Sequence, residues 1–365
     1  MAMHPRQVLL GAQSAAGLLP VCDHYCGLEA RMLKSLQLQA EMAAEFGSCV
    51  FDVTLDCEDG APSGGEQAHA GMIAEMIQST MSAWRADRAR GDFRPLPRIA
   101  VRVHAVDHPS FLQDVALILG AAGGDVCHVM IPKVESVSDV DLAVTAVDAA
   151  LSRAGVGKRM PLHVLIESPA AVHRAFDVAA HTRVQSVSFG LMDFVSAHAG
   201  GIPAAAMKVI PQQPDSDEFD QFSHPLVVRA KLEISEACHA WGKVPSHCVV
   251  TEFSNEALTA QAARRAIREF GYQRMWSIHP GQIRPILEAF SPSIIEVEQA
   301  SQIIDAAVQA QWAPISLAGQ LHDRASYRYF WQVLERAQQT GRVLPEAARA
   351  WFATEVGVSA AGEFV

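Results

Sequence analysis

The side chains best suited to chemistry recur at one kind of place in this 365-residue sequence, directly after short apolar, β-branched runs. One run ends Leu55-Asp56-Cys57-Glu58-Asp59, another Val101-Arg102-Val103-His104, and a third Ile131-Pro132-Lys133-Val134-Glu135. Further runs end Ile166-Glu167-Ser168, Gly190-Leu191-Met192-Asp193 and Ile278-His279-Pro280-Gly281-Gln282. A buried strand does not tolerate unpaired charge, so these groups mark strand ends. Glu167 and Asp193 would close successive strands, where two carboxylates can meet at one point. Two carboxylates with waters suit a hard ion such as Mg²⁺, and the absence of histidine from both ends disfavours zinc.

Taken singly, each group has a plainer reading. Asp59 fits a helix N-cap, Lys133 with Glu135 a structural ion pair, Arg102 a buried pair and His279 a hydrogen-bonded core histidine. His4, His69 and His181 read as surface or loop residues. Cys22-Asp23-His24-Tyr25-Cys26 offers metal-binding types, but no second cluster completes four ligands.

The elements that must position these groups alternate. Ser48–Leu55, Arg98–Val103, Val126–Ile131, His163–Ile166, Ser186–Phe189, Ser246–Val250 and Met275–Ile278 read as buried strands. An eighth strand is expected within Val8–Val21. Amphipathic stretches such as Ala68–Arg85, Val137–Arg153 and Glu256–Phe270 separate them. Such alternation implies parallel strands joined by crossover helices, and eight units favour a closed (β/α)₈ TIM barrel, an α/β fold. In that fold every strand end named above converges on the face that carries active sites. The barrel is expected over residues 1–293. After Phe290-Ser291-Pro292-Ser293 the pattern turns helical, with Ile294–Gln311 and Tyr327–Thr340 as helices and no further strand, so residues 294–365 read as a helical lid or oligomerisation segment. Pro211–His224 reads as an exposed insertion loop.

Half the residues are hydrophobic, enough for a large core, and the formal net charge of −11 argues against nucleic-acid binding. No run reaches the roughly 18 apolar residues of a membrane span. Seven irregularly spaced cysteines suit free thiols in a reducing compartment, so a cytoplasmic location is expected despite a faintly signal-like N-terminus.

At these strand ends the sequence resembles the HpcH/HpaI aldolase and citrate lyase β-subunit family, which includes the malyl-CoA lyases. Asp-x-Glu-Asp is matched by Asp56, Glu58 and Asp59, Val-Arg-Val by residues 101–103, and Pro-Lys-x-Glu by Pro132–Glu135. Ile-Glu-Ser falls at Ile166–Ser168, Gly-x-x-Asp at Gly190–Asp193, Ile-His-Pro-x-Gln-Ile at Ile278–Ile283 and Phe-x-Pro-Ser at Phe290–Ser293. The resemblance implies Mg²⁺ held by Glu167 and Asp193, a keto acid held by Arg102, a CoA thioester as the other substrate, and a homo-oligomer, trimer or hexamer. Glu58 and Asp59 would orient Arg102, Lys133 would offset the carboxylates, and Asp323, in Gly319-x-x-x-Asp323, would be the acid/base. The implied reaction cleaves a β-hydroxyacyl-CoA to an acyl-CoA and a keto acid, or condenses the two. Three departures stand out: no match to the family's opening Arg-Ser-x-Leu-Phe-x-Pro-Gly, whose basic group helps bind CoA; Cys57 in place of Leu; and His104 in place of Asn. Two other functions fit the same residues. One is a divalent-metal aldolase acting on pyruvate without CoA; the other is a non-catalytic subunit that binds a CoA ester or keto acid.

Overall fold

A computed structural model describes residues 4–11, 18–210 and 218–359. The chain divides into two compact units, one spanning Pro20–Ala289 and the other combining Met1–Leu19 with Phe290–Val365.

The first unit is the expected closed parallel barrel. Its strands, in spatial order, are β1 (Cys22–Cys26), β2 (Phe51–Asp56), β3 (Ile99–Arg102), β4 (Val126–Ile131), β5 (Leu162–Ile166), β6 (Val184–Phe189), β7 (Val244–His247) and β8 (Arg274–Ser277), with β8 pairing back onto β1. The intervening helices are locally specified. Ser136 and Asp139 form a capping box that starts Val137–Arg153, and Asn255 caps Glu256–Phe270, which ends at Gly271 with φ 69°. Outward residues of the strands pack beneath these helices; Ile99, Val101, Val129 and Val164 are fully buried.

Inside the barrel the sequence departs from the usual layers of Val, Ile and Leu. Asp23 and Tyr25 alternate inward from β1, and Asp52, Thr54 and Asp56 from β2. A charged ladder crosses the interior: Arg98 Nε donates to Asp52, and Arg274 Nη2 reaches Asp52 Oδ2 at 2.5 Å and Asp23 Oδ2 at 2.9 Å. This ladder explains why the first strand lies at Cys22–Cys26 and not within Val8–Val21. Its inward positions are polar, so no apolar run announces it. Residues Pro5–Leu10 instead form a helix begun by proline.

Pro211–Asp217, the first half of the expected insertion loop, lie outside the described residues. The remainder is not simply exposed, because Asp220, Gln221 and Phe222 are buried; Gln221 Oε1 accepts from the buried Lys231 Nζ at 2.9 Å.

The second unit is mainly helical, with Ile294–Gln309, Arg324–Gln339 and Glu346–Ser359. Trp331, fully buried, stacks on Phe352 with ring centroids 5.1 Å apart and donates its indole N–H to Glu335. Contrary to the sequence expectation, two strands do occur here, β9 (Ile315–Leu317) and β10 (Gln320–His322). Their two-residue turn, Ala318-Gly319, has φ values of 50° and 77°, the geometry of a type I′ hairpin. No helix among the described residues is long and apolar enough to cross a membrane.

Candidate active site

The ends of β2 to β6 bring the expected groups to one end of the barrel. Arg102, the last residue of β3, is buried and grips Asp56, the last residue of β2, through Nε at 2.7 Å and Nη2 at 2.5 Å. Its Nη1 lies 3.0 Å from Glu58 Oε2. Burial opposes the guanidinium charge, and Asp56 followed by Glu58 outweighs it, so the net effect is to hold the proton more tightly. The guanidinium carbon sits 5.5 Å from the ring of Tyr25, which stacks on Trp276 at 4.6 Å. Asp56 is fixed in turn by the backbone N–H groups of Glu58 and Gly60, at 2.9 Å each. A Cβ at Gly60 would fall 2.3 Å from Asp56 Oδ2, so this loop requires glycine for close approach.

Lys133 follows β4 with φ 52°, a left-handed conformation for a residue that has a side chain. Its N–H donates to Glu167 Oε2 at 2.7 Å, while Nζ bonds Glu58 Oε1 and approaches Asp59 Oδ2 at 3.4 Å. Burial lowers the affinity of Nζ for its proton, but Glu58 more than restores it. The alternative Lys133–Glu135 ion pair is not what forms. Glu135 accepts from Ser168 Oγ at 2.8 Å, and Lys133 is committed to Glu58.

Glu167, one residue past β5, is 6% exposed. Its pKa is pushed up to about 8, first by burial and then by the charge of Asp193, against the opposing influence of Arg102 and the Lys133 N–H. Asp193 stands in the first turn of the short helix Leu191–Ser196 and is also felt by Lys133. A Cβ at Gly190 would lie 2.3 Å from both Cγ and Oε1 of Glu167, so the β6 end can only be glycine while that carboxylate keeps its place.

The other expectations divide. Asp59 is largely exposed and caps no helix, since the next helix starts at Glu66 after Gly65. It therefore reaches Lys133 and not Arg102, the residue it was expected to orient. His279 is exposed, not a core histidine; it accepts from the Gly281 N–H and stacks on Phe253 at 5.1 Å. His69 is half-buried and bonds the Asp56 carbonyl at 2.9 Å, so it is not a surface bystander. Asp323 lies in the second unit, where its carboxylate caps Arg324–Gln339 through the Ala325 and Ser326 N–H groups. All seven cysteines are free thiols.

Asp56, which the motif alone gives no task, is the principal anchor of Arg102. A buried arginine ending one strand beside an aspartate ending its neighbour was the available signal. One group of three potential metal-binding residues occurs elsewhere in the described barrel: Asp23, His128 and His163, all buried. The stacked His128 and His163 rings, 3.5 Å apart and nearly parallel, cannot both aim in-plane lone pairs at one ion, and Arg274 already faces Asp23.

The donor set at the strand ends does fit a hard cation. Asp56, Glu58, Asp59, Glu167 and Asp193 face only Arg102 and Lys133, and Glu167 and Asp193 have no cationic partner of their own among the described residues. Two oxygen ligands beside an uncompensated excess of carboxylates suit a divalent ion that retains waters.

A closed barrel with this cluster at its strand ends fits the aldolases and lyases, and the comparisons with known proteins show that class. The family model for HpcH/HpaI aldolase/citrate lyase matches residues 32–280, and the chain belongs to that family. An L-malyl-CoA/beta-methylmalyl-CoA lyase of Cereibacter sphaeroides is 30% identical over 298 residues, covering 78% of this chain and 87% of that protein. The citrate lyase subunit beta of Haemophilus influenzae is 30% identical over 245 residues, 65% of this chain and 76% of that one. A solved citrate lyase from Burkholderia xenovorans LB400 is 46% identical with a TM-score of 0.75, covering 96% of this chain and all of that one. The fold also matches CitE from Mycobacterium tuberculosis in complex with magnesium, acetoacetate and coenzyme A, at 19% identity and a TM-score of 0.58, over 87% of this chain and 98% of that one.

Proposed function

We propose that this protein is a Mg²⁺-dependent carbon–carbon lyase that cleaves a β-hydroxyacyl-CoA of the malyl-, citramalyl- or citryl-CoA kind to an acyl-CoA and a keto acid, or catalyses the reverse condensation. The observation that carries the reading is the pair Glu167 and Asp193 following β5 and β6: Glu167 is buried, and neither acid has an ion-pair partner among the described residues. Glu167 and Asp193 would hold the ion. When bound, Mg²⁺ supplies Lewis-acid polarisation and chelation for the keto-acid oxygens.

The remaining steps belong to the chain's own residues. Arg102 has five N–H donors; Nε and one on Nη2 bond Asp56, and Nη1 forms an ion pair with Glu58. One N–H on each terminal nitrogen is left to bind a carboxylate or the oxygen on which charge develops. Because two carboxylates already fix the guanidinium plane, it needs no reorganisation during the reaction. Lys133 balances Glu58 and, through its backbone, orients Glu167.

The test is cleavage of a panel of hydroxyacyl-CoA esters with Mg²⁺ and with chelator. Mg²⁺-dependent release of a keto acid and an acyl-CoA supports the reading. Turnover of pyruvate with a free aldehyde, and none of any CoA ester, would assign the barrel to CoA-independent aldol chemistry instead.

A further inference from the structure

The cleavage proposed above needs a group that takes a proton from the substrate hydroxyl and returns one to carbon. We infer that His104, oriented by Asp114, is that group; the inference rests on the lyase reading and deepens it. His104 stands two residues beyond Arg102, where the family motif has Asn. Its Nδ1 lies 2.6 Å from Asp114 Oδ2, and the same oxygen accepts the His104 backbone N–H at 3.1 Å. An oxygen that accepts twice fixes the tautomer: Nδ1 carries the hydrogen and Nε2 keeps its lone pair. Asp114 is fully buried in the first turn of Phe111–Ala122, so Nδ1 points at that helix and Nε2 points away from it. No described group bonds Nε2, and the side chain keeps 11% of its surface exposed.

The surroundings hold the imidazole beside the carboxylate loop of the site. His108 stacks on the ring at 4.1 Å with planes 10° apart, which limits rotation. Cys57, between Asp56 and Glu58, is raised by burial and then by the charge of Asp114, which places the dyad against the end of β2. Glu66, at the start of the next helix, feels both His104 and His108. The charged and titratable groups facing the ring are therefore Asp114, His108 and Glu66, with Cys57 beside Asp114. A Nδ1–carboxylate bond of this kind orients an imidazole for proton transfer and stabilises the imidazolium that forms.

The step balances without a further reactant. Nε2 accepts the hydroxyl proton, the oxygen lone pair forms the new carbonyl, and the carbon–carbon bond breaks with its electron pair moving into the thioester as an enolate. The imidazolium then returns the same proton to the enolate carbon, leaving a keto acid, an acyl thioester and neutral His104. Asp114 is a positioning residue.

The experiment uses the full-length protein with Mg²⁺ and malyl-CoA or citramalyl-CoA, measuring kcat and KM against pH for wild type, H104N, D114N and D323N. Exchange of the α-protons of acetyl-CoA in deuterium oxide, followed by NMR, is a second readout. H104N should lower kcat by about 100-fold or more, keep KM within about threefold, slow the exchange and remove the acidic limb of the pH profile. D114N should fall between wild type and H104N and displace that limb, an effect that a merely structural role would not produce. Should D114N fail to fold because its backbone contact is lost, H104N decides alone. An H104N enzyme with kcat within threefold of wild type and an unchanged profile overturns the inference, as does loss of the acidic limb in D323N with H104N unaffected. A wild-type protein that neither cleaves nor exchanges overturns the lyase reading together with it, so the two failures are distinguishable.

Discussion

The backbone N–H of Lys133 donates to Glu167 Oε2 at 2.7 Å while Lys133 holds φ at 52°. A left-handed lysine ordinarily costs on the order of 1 kcal/mol, and here that conformation turns the amide toward the carboxylate assigned to the metal. The side chain serves separately, bonding Glu58. Backbone and side-chain roles can therefore be separated by substitution. K133G keeps the conformation without strain and loses only the ammonium, whereas K133A loses the ammonium and keeps the strain. K133G should be more stable than K133A by about 1 kcal/mol in urea denaturation and should bind Mg²⁺ at least as well. Equal stability of the two would remove the strain from this picture.

Glu167 makes metal binding pH-dependent. Its pKa near 8 in the metal-free protein means that the ion must displace a proton at neutral pH. Mg²⁺ affinity should rise about tenfold per pH unit between roughly pH 6 and 7 and level off above about 8. The shift also predicts that stability in chelator declines as pH rises from about 4.5 toward 8, because the raised carboxyl favours the protonated folded state. E167Q should flatten both dependences in calorimetric titrations and urea melts. A wild-type affinity that does not change with pH would contradict the assignment.

Gly190 is a test of geometry and not of chain flexibility, because its φ is −88°. In G190A the added methyl would meet Glu167 Oε1 at 2.3 Å and must displace the carboxylate. Mg²⁺ affinity should drop by about 100-fold or more while circular dichroism stays close to wild type. An alanine variant with unchanged affinity would show that Glu167 is not held where the ion binds.

Arg102 offers a planar fork to Asp56, which an ammonium cannot reproduce. R102K should lower kcat/KM for a hydroxyacyl-CoA by about 100-fold or more, and unchanged turnover would remove Arg102 from the chemistry.

Arg274 is fully buried between Asp23 and Asp52. Replacing it with methionine leaves Asp23 without a cation, held only by Thr54, while Asp52 keeps Arg98, so R274M should lose about 3 kcal/mol of stability in denaturant. Little or no loss would mean that the interior ladder is not a stabilising element.

What could be read from the sequence followed the physics of each element. Strands β2 to β6 and β8 overlap apolar runs because their outward faces pack under helices, whereas β7, Val244-Pro245-Ser246-His247, has no such run and lies two residues before the expected Ser246–Val250. The first strand stayed hidden because Asp23 and Tyr25 face inward and His24 faces outward to Ser35 and Ser277. The β9–β10 hairpin, with three residues in each strand, is too short for any period to show. In the site, Arg102, Glu58, Lys133, Glu167 and Asp193 were legible as charges where none should be buried unpaired. The partnership of Asp56 with Arg102 and the backbone twist at Lys133 were not, because both depend on which strand ends become neighbours and how each loop leaves its strand.

Calorimetric titration of Mg²⁺ into wild type, E167Q and D193N at pH 8, with pyruvate present, tests the metal assignment most directly. If these two carboxylates hold the ion, wild type binds one Mg²⁺ per chain and each variant weakens that binding by at least about 100-fold while its melting temperature stays near that of wild type. A variant of either residue that still takes up Mg²⁺ with wild-type affinity would place the metal elsewhere.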